Sequence, residues 1–149
     1  MGAVTYPNDH VIQWVSGHFI PVKIDSSTGG RHFKSFNVQW TPTILIQDRD
    51  GQEHHRTTGF LSPEDFIVAI RLGLAKMAYN QRHFEEGSQA FRQILEAYPE
   101  TSAAPEALYY QGVCEYMASQ DSSHLNKTFE ALREKYPKSD WTKKAEVWS

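Results

Sequence analysis

Apolar and polar positions follow two different periods along this 149-residue chain, and the period changes near its middle. Residues 19–25 alternate about a Val/Ile core, and residues 43–47 form an apolar run rich in β-branched side chains, so both predict buried strands. Asp50-Gly51 predicts a tight turn, because Gly tolerates positive φ and Asp bonds its own backbone. The polar stretch 53–58 that follows has the composition of an edge strand. Ser62-Pro63-Glu64-Asp65 supplies an N-cap hydroxyl, a proline for the first helical turn and early acids, so a helix should start there. Phe66, Ile70, Leu74 and Met77 then recur at helical spacing and predict its buried stripe.

From about residue 73 the pattern is helical and repeats itself after 38 residues. The shift aligns Phe91 with Phe129, Ile94 with Leu132, Tyr98-Pro99 with Tyr136-Pro137, and Ala107 with Ala145. Helices are expected over residues 73–82, 86–98, 103–118, 123–136 and 140–148. The Tyr-Pro pairs end two of them, and Ser102 and Ser139 cap the helices that follow. The last amphipathic helix, with Trp141 and Trp148, should cover the final hairpin, since stacked hairpins need a polar-faced end. No proline interrupts the pattern between Pro63 and Tyr79. The helix begun at Pro63 can therefore run into the first repeat helix, for a length of about 25 Å. Gly73 is its weak point, costing up to about 1 kcal/mol relative to Ala.

The run from Phe19-Ile20-Pro21-Val22-Lys23-Ile24-Asp25 through Trp40-Thr41-Pro42-Thr43-Ile44-Leu45-Ile46 to Gly59-Phe60-Leu61-Ser62-Pro63 resembles the C-terminal two thirds of a thioredoxin domain. The unit Ala90-Phe91-x-x-Ile94-Leu95-x-x-Tyr98-Pro99 with Ala107-Leu108-x-Tyr110-x-Gly112 resembles tetratricopeptide (TPR) repeats of the kind found in bacterial envelope and lipoprotein-assembly proteins. Together they imply an α/β thioredoxin-like domain over residues 1–72, incomplete at its start, followed by all-α TPR-like hairpins over residues 73–149. The first resemblance implies a cis Thr41-Pro42 bond and a client-binding role for Trp40, Thr41 and Pro42. In the family that loop lies against a Cys-x-x-Cys motif, which by correspondence falls just ahead of Met1, so either the native gene continues upstream, as is expected, or this lineage has lost the segment. The strand preceding that motif is central in the fold. Without it the strands at 19–25 and 43–47 face a gap, to be closed by direct pairing, by residues 3–6, or by a second copy in a homodimer.

Chemistry narrows the reading. Cys114 is the single cysteine, so no dithiol is available to attack and resolve a mixed disulfide, and no insulin-reductase activity is expected of these residues. It lies mid-helix between Tyr110 and Met117, as a core thiol would. The balance of 15 basic and 18 acidic residues offers no electrostatic case for nucleic acid or membrane as partner. Apolar runs fall short of a bilayer span, and one cysteine suits a reducing compartment, cytoplasmic unless a leader peptide precedes Met1, in which case periplasmic. Of seven histidines, His54-His55 are adjacent and would point to opposite strand faces; all seven read as surface residues, with no metal site. No phosphate loop or nucleophile elbow occurs, and no cofactor is expected. Tyr109 and Tyr116 are either repeat core or the lining of a peptide groove, where aromatics give contact area at low entropy cost. Three functions remain: a redox-inactive protein-binding module, a thiol-disulfide oxidoreductase whose cysteines lie upstream and whose repeats recruit a client, or a structural assembly piece that oligomerises through its helical array.

Overall fold

The computed structural model describes residues 1–149. Helices α1 (Asp9–His18) and α2 (Gly30–Ser35) precede a hairpin of β1 (Thr43–Gln47) and β2 (Glu53–Thr58). Then come α3 (Pro63–Asn80), α4 (Phe84–Ala97), α5 (Ala104–Ser119), α6 (Ser123–Lys135) and α7 (Asp140–Ala145), the last continued by a 3-10 turn over Glu146–Trp148. No helix is long and apolar enough to cross a membrane. α1 has no counterpart in the sequence reading; it is nucleated by Asn8, whose side chain accepts the His10 and Val11 amide protons. Ser62 and Ser139 cap as expected. Ser102 does not, because α5 begins one residue later, with Ala103 at its N-cap and no side-chain bond.

The sheet has two antiparallel strands, with Ile44 opposite Thr57, Ile46 opposite His55, and a bulge after Ile46. Gly51 turns the hairpin at φ +81°. Residues 19–25 are not a strand: no strand pairs with them, no backbone group of residues 20–24 is hydrogen-bonded, and Ile20 and Val22 are 95% and 78% exposed. A strand exists only through a partner ladder, and alternation alone cannot supply one.

α3 organises the molecule. Phe66, Ile67 and Ile70 pack with Ile46 of β1 and Val11 of α1, whereas Val68, Leu72 and Ala75 pack with Phe91, Ile94, Ala107 and Cys114 of the helical half. The single stripe expected from the sequence is thus two buried faces, which leaves Leu74 and Met77 half-buried. Gly73 is a contact rather than a weakness: a Cβ there would come within 2.6 Å of Ile46 Cγ1 and 3.1 Å of His55 Cβ. At the end of α3, Asn80 lies 3.1 Å from Nδ1 of His54, whose Nε2 lies 2.9 Å from Asp48. His54 is therefore no surface histidine; it is 6% exposed and ties the hairpin turn to α3. Its hydrogen bond is the first cause holding the Asp48 carboxyl below the usual range.

The 38-residue equivalence holds in three dimensions. Phe91 and Phe129, Ile94 and Leu132, and Ala107 and Ala145 are all buried. Tyr98 and Tyr136 end α4 and α6 with matching geometry, φ/ψ −138°/52° and −132°/52°. Helical propensity explains less than burial here, since each hairpin covers an apolar face that its neighbour completes.

Candidate protein-binding surfaces

At one end of the hairpin the Thr41-Pro42 bond is cis. The Gly59 amide donates to the Pro42 carbonyl at 2.8 Å, the Thr43 hydroxyl donates to the Trp40 carbonyl at 2.7 Å, and the Thr43 and Thr58 hydroxyls meet at 3.2 Å. These bonds fix the loop while Trp40 stands 71% exposed above it. Phe60, 61% exposed, follows Gly59 at the same end. Beside Trp40 is an open recess of about 310 Å³ lined by Asn37, Gln39, Trp40, Thr43, Arg56 and Thr58. Arg56 donates to both Glu53 carboxylate oxygens, at 2.8 and 2.7 Å, and to the Phe36 carbonyl at 2.7 Å. Pairing raises the guanidinium above its ordinary value and lowers the Glu53 carboxyl, so the charge in the recess is already matched. Polar donors and acceptors around one exposed indole suit noncovalent binding. Of the three residues expected here, Trp40 reaches the recess, and Thr41 and Pro42 form its flank without lining it.

In the helical half, Tyr109 and Tyr116 are both half-buried on α5, in different settings. The Tyr109 ring stacks on Trp148 at 4.5 Å and meets Trp141 at 5.1 Å and Tyr110 at 5.5 Å. Tyr110 continues the cluster to Phe91 and Tyr79. Lys76 and Lys144 place their ammonium groups 5.5 Å and 3.8 Å from the Tyr110 and Trp141 rings, as cation–π partners. Burial raises the Tyr109 and Tyr110 hydroxyls above their ordinary value. The expected role of Trp141 and Trp148 as a cover is met, and what they cover is Tyr109. Tyr116 takes no part in this cluster.

Sequence reasoning missed a second cavity, of about 430 Å³, lined by residues of α4, α5 and α6 including Ser88, Arg92, Glu115 and His124. Glu115 accepts from Ser88, Arg92 and Gln111 at 3.0 to 3.3 Å, and His124 Nδ1 lies 3.1 Å from its other oxygen. Its members come from three helices, so no local pattern marks it. Cys114 is fully buried nearby, and burial pushes its thiol up to about 12, opposite to what a reactive thiolate needs.

No curated protein and no solved structure gives a match to this chain. Residues 2–73 match the thioredoxin-like domain, and residues 106–139, which take in most of α5 and all of α6, match the tetratricopeptide repeat. With its hairpin packed on α3 and its helices paired beyond it, this chain joins a thioredoxin-like domain to a TPR-like helical region.

Proposed function

We propose that the chain is a protein-binding module in which the thioredoxin-like part, residues 1–72, and the helical part, residues 73–149, engage one polypeptide client without redox chemistry. The observation that carries this reading is Trp40, an indole 71% exposed beside a fixed loop and a polar recess. Large exposed aromatics next to satisfied polar groups are the usual anchors of protein contacts. Trp40, Thr41 and Pro42 are assigned to an extended segment of the client. Tyr109 and Tyr116 on α5 are assigned to a second contact. The TPR match supports a protein as partner, and the single buried thiol favours a reducing, cytoplasmic setting.

A permanently unfolded protein, reduced and carboxymethylated lactalbumin carrying a fluorescent label, tests this. Trp40→Ala is expected to weaken its binding about tenfold, as loss of an aromatic anchor does. The melting temperature should not move, since the side chain supports nothing in the fold. Equal binding by the variant would refute the assignment. The thioredoxin-like match also favours a second reading, a thiol-disulfide oxidoreductase whose Cys-x-x-Cys lies upstream. An in-frame Cys-x-x-Cys in the genomic sequence shortly before Met1 would select it over the first.

A further inference from the structure

One arginine, where the two parts of the chain meet, has no partner. Of the seven arginines, Arg49, Arg56, Arg92 and Arg133 each lie within ion-pair distance of a carboxylate, and Arg31 and Arg82 are exposed. Arg71 is half-buried on α3, forms no ion pair and makes no hydrogen bond, and its Nε is shut off from solvent without an acceptor. No other buried side-chain nitrogen or oxygen is left in that state. A cation drawn this far out of water ordinarily brings a counter-charge with it. Here the chain supplies none.

What the chain supplies instead is a mount. The guanidinium carbon lies over the Trp14 ring of α1 at 4.8 Å and over the Tyr98 ring at the end of α4 at 5.8 Å. Trp14 is itself held, by His18 stacked on it at 4.1 Å and by Phe19 at 6.1 Å. The Tyr98 carbonyl accepts from the amide and the hydroxyl of Thr101, at 3.3 and 2.9 Å, and its side chain packs on both hydrophobic cores. Aromatic faces offset part of the cost of the charge, but they do not replace acceptors for the N–H groups in the guanidinium plane. Nη1 and Nη2 have no acceptor in the chain either, and unlike Nε they are not sealed, so both present their N–H groups at the surface. Two parallel donors on one delocalised charge match the two oxygens of a carboxylate. No lysine or second arginine lies over either ring, which suits a single negative charge better than the double charge of a phosphate.

We propose that Arg71, walled by Trp14 and Tyr98, is a binding point for one carboxylate of the polypeptide client. This rests on the protein-binding reading above and adds the chemistry the client must carry, an acidic side chain or a C-terminal carboxylate. The point lies where α1, α3 and the end of α4 meet, so one contact there engages both parts of the chain.

Nuclear magnetic resonance on the full chain tests the point without a client, and so independently of Trp40. The probes are N-acetylglutamic acid α-amide, which has only a side-chain carboxylate, and N-acetylalanine, which has only a terminal one. At least one should shift the Arg71 Nε–H and Trp14 indole signals saturably, and the tighter of the two names the source. Sodium chloride at equal ionic strength should not, and inorganic phosphate should bind more weakly. Arg71→Lys keeps a cation near the rings but loses the paired donors; it should keep the wild-type circular dichroism and weaken the binding at least about tenfold. The same variant should bind labelled carboxymethylated lactalbumin more weakly than the wild type does, and methyl esterification of the lactalbumin carboxyl groups should remove that difference. A wild type that binds neither acid, shifts reproduced by chloride, tighter binding of phosphate, or an Arg71→Lys variant that binds like the wild type would each overturn the proposal. Lactalbumin that does not bind at all, with the acids still held at Arg71, would refute the protein-binding reading and uphold the carboxylate point.

Discussion

At Gly112 the missing side chain is a packing requirement rather than a source of flexibility. A Cβ there would overlap Thr128 Oγ1 and stand 2.6 Å from Thr128 Cβ, so α5 and α6 touch at this point. Gly17, inside α1, has nothing within 4 Å of the same position. Gly112 is mid-helix and Gly17 lies in the last turn of α1, and propensity alone favours alanine at each by up to about 1 kcal/mol. Contact decides between them. Gly17→Ala should stabilise by about 0.5 to 1 kcal/mol, whereas Gly112→Ala should destabilise by about 1 to 3 kcal/mol through overpacking. Urea denaturation of the two variants checks this; a stabilised Gly112→Ala would mean that α6 can draw back at no cost. Gly73 belongs with Gly112. Read along the sequence it is a helix breaker, because the Ile46 side chain that fills its place is remote in sequence and leaves no mark near it.

Among the elements, those whose signals are local were legible and those that depend on a distant partner were not. Ser62-Pro63 and Ser139 mark helix starts by chemistry held within one turn, and the Tyr-Pro pairs mark helix ends in the same way. The strand expected at 19–25 failed because alternation states which side chains share a face, not whether a neighbour exists. Trp40 could be placed in its loop by resemblance, but the recess beside it draws Arg56 from β2 and Asn37 from the end of α2, and nothing local joins them. His55 shows the same limit. On β2 its side chain is carried against α3, and burial, with Lys76 adding to it, lowers its pKa from 6.5 despite the opposing pull of Glu106 and Glu53. A histidine held below its free value favours the neutral form in the folded state. Its contribution is therefore present above pH 6.5 and lost as pH falls through the lowered folded value. The melting temperature should drop on moving from about pH 7 to about pH 5, and His55→Gln should flatten that drop. An unchanged slope in the variant would assign the loss to other groups.

For the whole molecule the decisive element is α3, whose 18 residues are about 27 Å long and carry two cores on one helix. Ile70 faces the sheet and Leu72 faces the repeats, both nearly inaccessible at 2% and 3% exposure. Arg71, between them in sequence, lays its guanidinium over the Trp14 ring of α1 at 4.8 Å and the Tyr98 ring at the end of α4 at 5.8 Å, which ties the two halves together from a third side. A helix cannot unwind for one core and persist for the other, because each backbone bond along it serves both. The two parts should therefore melt as one unit, despite having separate hydrophobic centres and no shared sheet. Ile70→Ala and Leu72→Ala should each cost about 2 to 5 kcal/mol and shift the same transition, followed alike by tryptophan fluorescence and by far-ultraviolet circular dichroism. If Leu72→Ala instead split the melt into two separate transitions, α3 would be a bridge between independent domains. Trp40 and the α5 tyrosines would then sit on bodies free to move apart, and a client spanning both would have to bear the entropy of holding them together.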